Sequence, residues 1–168
     1  MKMELSKRAK QLKPSVTLAA SAKAKELKAQ GLDILSVTLG EPDFPTPENI
    51  QQAAIAAIQS GKASFYTPTA GIPELRQAVV SYIERYYDLT YSPKETLITD
   101  GAKFALYALF QVILDAQDEV LIPVPYWVSY ADQVQLAEGV PVFVQGKEEN
   151  QFKVTVEQLT ACLTAKTK

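Results

Sequence analysis

Residues 96–127 read TLITDGAKFALYALFQVILDAQDEVLIPVPYW, and their order decides the fold. The short β-branched run Thr96 to Thr99 predicts a strand and Asp100-Gly101 a turn. The apolar segment Ala102 to Leu114 predicts a helix, and Glu119 to Ile122 a second strand. Further on, a helix is expected over about Val128 to Leu136, a strand over Val140 to Val144 and a helix over about Val156 to Leu163. Strands separated by helices of this length favour a mostly parallel sheet covered on both faces, so the expected class is α/β.

Working back toward the amino terminus, the opening basic stretch is broken at Lys13-Pro14-Ser15. Thr17 to Gln30 is rich in Ala, Lys, Leu and Glu and stops at Gly31, which predicts a helix. Asp33 to Leu39 is short and β-branched and predicts a strand ending at Gly40. Thr46-Pro47-Glu48 supplies an expected N-cap, a proline in the first turn and an acid, opening a helix that stops at Gly61. Lys62 to Pro73 has no periodicity and is expected to be loop, followed by a helix from about Glu74 to Tyr87. The chain ends just after a helix, where the alternation would next supply a strand. A three-strand parallel sheet would keep an open edge, so the expectation is of a chain cut within a larger fold.

Composition narrows the chemistry. The 168 residues are 47% apolar and 21% charged with a formal charge of −2, which fits a globular chain and offers no bulk attraction for nucleic acid or an anionic membrane. No apolar run is long enough to span a bilayer and no targeting signal is visible. The lone Cys162 excludes an internal disulfide and suits a reducing, cytoplasmic compartment. There is no histidine, which excludes a serine–histidine triad and removes the commonest general base and zinc ligand. Lysine, carboxylates, tyrosine or a cofactor must carry any reaction.

Four places bear on it. At Asp100-Gly101-Ala102-Lys103 a strand turns into a helix, where backbone N–H groups and the helix dipole can hold a phosphate; glycine at such a turn also has a purely geometric use. Tyr126 and Trp127 follow a strand, at the carboxyl end of the sheet where open α/β folds bind ligands. They could stack on a planar cofactor or cap the core. Gly40 to Pro45 is a proline-bounded loop whose glycine could let a backbone N–H approach a carboxylate, or simply turn the chain. Tyr66 lies in an aromatic, proline-containing loop suited to packing on a neighbour, including another subunit.

Lys13-Pro14-Ser15, Gly40-Glu41-Pro42-Asp43-Phe44, Tyr66-Thr67-Pro68-Thr69-Ala70-Gly71, Asp100-Gly101-Ala102-Lys103 and Pro125-Tyr126-Trp127-Val128-Ser129-Tyr130 occur in the order found in class I aminotransferases of fold type I. The chain resembles that family over nearly its whole length. The resemblance implies a homodimeric enzyme dependent on pyridoxal 5′-phosphate (PLP). Residues 1–45 would be an amino-terminal arm and small-domain segment, and residues 46–168 an incomplete PLP-binding large domain. Gly101 and Ala102 would bind the cofactor phosphate, Trp127 would stack on its ring, and Tyr66 would reach the phosphate in the partner subunit. Gly40 would offer its N–H to the substrate α-carboxylate.

In the bacterial aspartate branch of the family, matching residues assign the distal carboxylate to Lys103 and Thr17. The glycine turn departs from the more usual double glycine in having Ala102 second, which still offers an N–H. The resemblance places the family's Schiff-base lysine, and the residues that hold the pyridine ring and clamp the α-carboxylate, beyond Lys168. No catalytic residue is therefore assigned, and the chain alone is expected to be inactive. The implied reaction is transamination between an amino acid, aspartate, and a 2-oxo acid, 2-oxoglutarate. An aromatic- or alanine-type aminotransferase and a non-catalytic binding or assembly module are the alternatives.

Overall fold

The computed structural model describes residues 3–12, 14–38 and 40–168. Lys13, in the opening break, and Leu39, the last residue of the first expected strand, lie outside them. The chain divides into two compact units, residues 1–34 with 100–168, and residues 35–99.

The first unit opens with a short helix α1 (Lys7–Gln11), whose N-cap Ser6 accepts the Ala9 N–H. Helix α2 (Val16–Ala29) follows, with the Ser15 hydroxyl accepting the Leu18 N–H, and ends before Gly31 at a left-handed φ of 83°. The predicted helix is thus present, while α1 was not expected: five residues are too few to show a periodicity. After the second unit come α5 (Gly101–Ile113), β1 (Glu119–Val124), α6 (Ser129–Leu136), β2 (Val140–Gln145) and α7 (Val156–Ala161), whose predicted positions shift by only a residue or two.

Strands β1 and β2 pair in parallel, from Glu119 opposite Val140 to Val124 opposite Gln145, with α6 as the connection between them. A single parallel bridge joins Glu119 to Thr167 on the other edge of β1, so the chain approaches the sheet again after α7. The core lies where the end of α5, β1 and α6 meet: Leu114, Ile122, Ala131, Val134 and Ala137 are buried, with Phe110, Val120 and Tyr126 packed against them. Val134 is completely enclosed.

The second unit holds α3 (Glu48–Gln59) and α4 (Pro73–Tyr87) with short 3-10 turns. Thr46 is not the N-cap of α3. That position falls to Pro47, which makes no side-chain cap bond, while the Thr46 carbonyl accepts from the Gln51 amide. Proline at this point sets the backbone of the turn instead of donating to it.

Two predicted strands are absent from the described residues. Residues 33–38 run without a ladder, leaving Leu35 and Val37 97% exposed. Residues 96–99 are likewise not assigned as a strand; Ile98 donates one backbone bond to Ala70 at 3.0 Å, and Arg76 bonds Thr96 Oγ1 and the Pro93 carbonyl. A β-branched run favours extended backbone, but only a neighbouring edge makes it a strand.

Candidate functional site

The carboxyl end of β1 delivers the chain through Pro123, Val124 and Pro125 to Tyr126 and Trp127, after which α6 begins at Ser129. The two aromatic rings part company here. Tyr126 turns inward, its ring centroid 5.3 Å from that of Phe143, and belongs to the core. Trp127 turns outward and remains about half exposed, while its carbonyl accepts the Tyr130 N–H at 3.0 Å as α6 starts.

Across from the indole stands the amino end of α5. Asp100 occupies the N-cap without making a side-chain cap bond. Gly101 has φ 81°, and a Cβ built there would meet no heavy atom within 4 Å. The glycine lets the chain turn into the helix and leaves its side of the turn open. The amino end of a helix attracts an anion through its dipole.

Lys103, in the same first turn, projects toward the indole, with Nζ 5.8 Å from the centre of the Trp127 ring. This is cation–π range. Ala102, Lys103, Leu106, Trp127, Ser129, Tyr130 and Gln133 border one hollow. Ala102 of the first helical turn, the Lys103 ammonium and the Trp127 ring therefore meet at one hollow, while Gly101, one residue before Ala102, is not among the residues that border it. The donor set suits a ligand that combines an anionic group with a flat ring, and Lys103 adds a cation for a second anionic group.

Thr17 sits half-buried in the first turn of α2 and is not among the residues that border the hollow. Gly40 and Tyr66 belong to the second unit. Gly40 is exposed in an irregular segment, and Tyr66 is fully exposed in the loop before α4.

Gln133 was missed from sequence. It is 6% exposed, and its Nε2 donates to the Lys103 carbonyl at 2.7 Å, tying α6 to the first turn of α5. Its signal was a polar residue beside Val134 and one turn from Ala137 on the inward stripe of α6, easily read as solvent-facing. Among the described residues no three His, Cys, Asp or Glu side chains are grouped to hold a metal, and no helix is long and apolar enough to cross a membrane.

Comparison with known proteins bears on the same elements. The family model for aminotransferase class I and II matches residues 33–168. The chain is 54% identical over 165 residues to an asparagine–oxo-acid transaminase of Streptococcus mutans, covering 98% of this chain and 42% of that protein. It is 52% identical over 168 residues to an aspartate aminotransferase of Bacillus sp. YM-2, covering 100% of this chain and 43% of that one. In structure it is similar to the Thermus thermophilus aspartate aminotransferase solved with maleate, at a TM-score of 0.95 and 46% identity over 99% of this chain and 44% of the other. The chain thus spans about two fifths of the length of the relatives it matches. Family model and fold likeness agree on the α/β architecture of fold type I: the chain belongs to the class I and II aminotransferases.

Proposed function

We propose that the whole protein catalyses PLP-dependent transamination between aspartate and 2-oxoglutarate, with residues 1–45 serving as arm and small-domain segment and residues 46–168 as part of the cofactor domain. The observation that carries this reading is the shared hollow in which Ala102 of the first turn of α5, the Lys103 ammonium and the Trp127 ring meet. Gly101 and Ala102 would direct backbone N–H groups at the PLP phosphate, and Trp127 would lie against the pyridine ring. Tyr66 would reach the phosphate of the cofactor bound by the partner subunit of a homodimer. PLP, when bound, supplies the electron sink that lets the bond between the substrate Cα and its proton break.

The residues of this chain do the binding and orienting. The Gly40 N–H would take the substrate α-carboxylate. Lys103 would take the distal carboxylate with Thr17 adding a directional hydroxyl, selecting by charge inside a site partly walled by an indole. No residue of the chain is assigned a proton-transfer role, so the 168-residue chain by itself is expected to show no turnover. A reducing, cytoplasmic setting suits the single cysteine.

A second reading has its own support in the Streptococcus mutans relative, whose name gives asparagine as its amino donor. Lys103 can donate to a side-chain amide carbonyl as well as to a carboxylate, though with less charge assistance. Steady-state kinetics of the full-length protein with aspartate, asparagine and alanine, with and without Lys103→Ala, separate the readings. The substitution is expected to lower kcat/KM for aspartate about 100-fold, the loss of one charge-assisted hydrogen bond, and to leave alanine within a few-fold. Equal losses for aspartate and alanine would exclude dicarboxylate selection. A larger loss for asparagine than for aspartate would favour the amide. A full-length protein that binds no PLP would remove the proposal altogether.

A further inference from the structure

Gln133 carries a contradiction that the core alone does not explain. Its side chain is more than nine-tenths buried on α6, and Nε2 is committed to the Lys103 carbonyl at 2.7 Å. The opposite amide atom, Oε1, is buried and meets no hydrogen-bond donor among the described residues. The two ends cannot be exchanged, because turning the amide would set oxygen against the oxygen of the Lys103 carbonyl. A buried acceptor without a donor costs stability, and an apolar side chain of similar shape would remove both the bond and the cost. Stability alone is therefore a poor reason for glutamine at this position.

What the bond does hold is the turn from which Lys103 projects. The Lys103 backbone is held by Gln133 from α6, and its ammonium lies 5.8 Å from the centre of the Trp127 ring. Gln133, Lys103 and Ser129 also border a second hollow on the Asp100, Phe104 and Asp132 side, so the three residues together separate two openings. Removing its bond would let the first turn of α5 settle toward either one. A lysine aimed at a distal carboxylate loses much of its discrimination when it is displaced by about an ångström.

We infer that Gln133 is a positioning residue for substrate selection: it sets the direction of Lys103 and so the preference for an amino acid bearing a distal carboxylate over one without it. The inference rests on the transamination reading above. It assigns Gln133 no contact with substrate.

The test is calorimetric binding of two unreactive amino acids to the PLP-loaded full-length protein, 2-methylaspartate and 2-aminoisobutyrate, which differ only in the distal carboxylate. Gln133→Met removes donor and orphaned acceptor together and nearly preserves volume; Gln133→Asn keeps an amide that falls a carbon short of the Lys103 carbonyl. Both variants are expected to reduce the preference for 2-methylaspartate about tenfold, with 2-aminoisobutyrate affinity unchanged, and Gln133→Met to melt within a few degrees of the parent. Either variant that folds is sufficient to read the ratio. Unchanged selectivity, or equal weakening of both ligands, would show that Gln133 only packs α6 against α5 and would overturn the inference. If the parent protein itself shows no preference for 2-methylaspartate, the dicarboxylate reading of Lys103 fails first and this inference with it.

Discussion

At the scale of single residues the turn into α5 depends on one backbone conformation. Gly101 adopts φ 81° at the mouth of α5 with open space where a side chain would begin. Alanine there would meet no neighbour, so its cost is the strain of the left-handed region alone, about 1–2 kcal/mol. Gly40, by contrast, has neither a left-handed φ nor a neighbour within 4 Å of an added Cβ. Urea denaturation is expected to show Gly101→Ala destabilised by that amount and Gly40→Ala near the parent; equal stabilities for the two would mean that the turn into α5 relaxes to an ordinary conformation. The residue scale also shows what a sequence can disclose about a site. Lys103 and Trp127 were legible because each breaks a local rule: a cation in a first helical turn, and a large aromatic just past a strand. Gln133 breaks a rule only once its burial is known, since a glutamine on a helix is ordinary on a wet face.

At the scale of elements, legibility followed how much of each element's reason for existing lies within its own residues. Helices carry their hydrogen bonds internally, and α2, α4, α5, α6 and α7 emerged close to their expected bounds. Strands do not. Glu119–Val124 and Val140–Gln145 are strands because they face each other, whereas residues 33–38, just as β-branched, have no described edge beside them. The cap of α7 shows how local chemistry settles a helix end and gives it a pH signature. Thr155 and Gln158 form a reciprocal capping box there. Beside it, a backbone N–H and the Thr155 hydroxyl hold the Glu157 carboxyl below its ordinary value. A carboxylate depressed on folding contributes stability that is present above its unfolded pKa and lost as pH falls through the folded value. Glu157→Gln should therefore flatten part of the decline in melting temperature between about pH 5 and about pH 3, most visibly at low salt, because the group is fully exposed. An acid limb identical to the parent's would show that the cap does not favour the ionised form.

At the scale of the whole molecule, the distribution of apolar surface becomes the argument. Helix α5 is apolar nearly all round, and a helix of that kind is normally enclosed on every side. In the chain its inner residues pack toward β1 and α6, yet Phe104, Leu109 and Val112 stay exposed, Val112 by 83%. The tyrosines of α4 repeat the pattern: Tyr82, Tyr86 and Tyr87 form a mutual aromatic cluster while each remains more than half exposed. A monomeric soluble protein seldom leaves such patches open, and a chain spanning about two fifths of its relatives' length has less surface against which to close them. The 168-residue polypeptide in isolation is therefore expected to bind an apolar fluorescent dye strongly and to associate in a concentration-dependent way at micromolar levels. The full-length protein should do neither beyond a discrete dimer. Val112→Lys, which places charge on the most exposed large apolar residue of α5, should cut dye binding and association of the isolated polypeptide together. Sedimentation of an isolated chain that stays monomeric and takes up no dye would mean that these faces find cover within the chain.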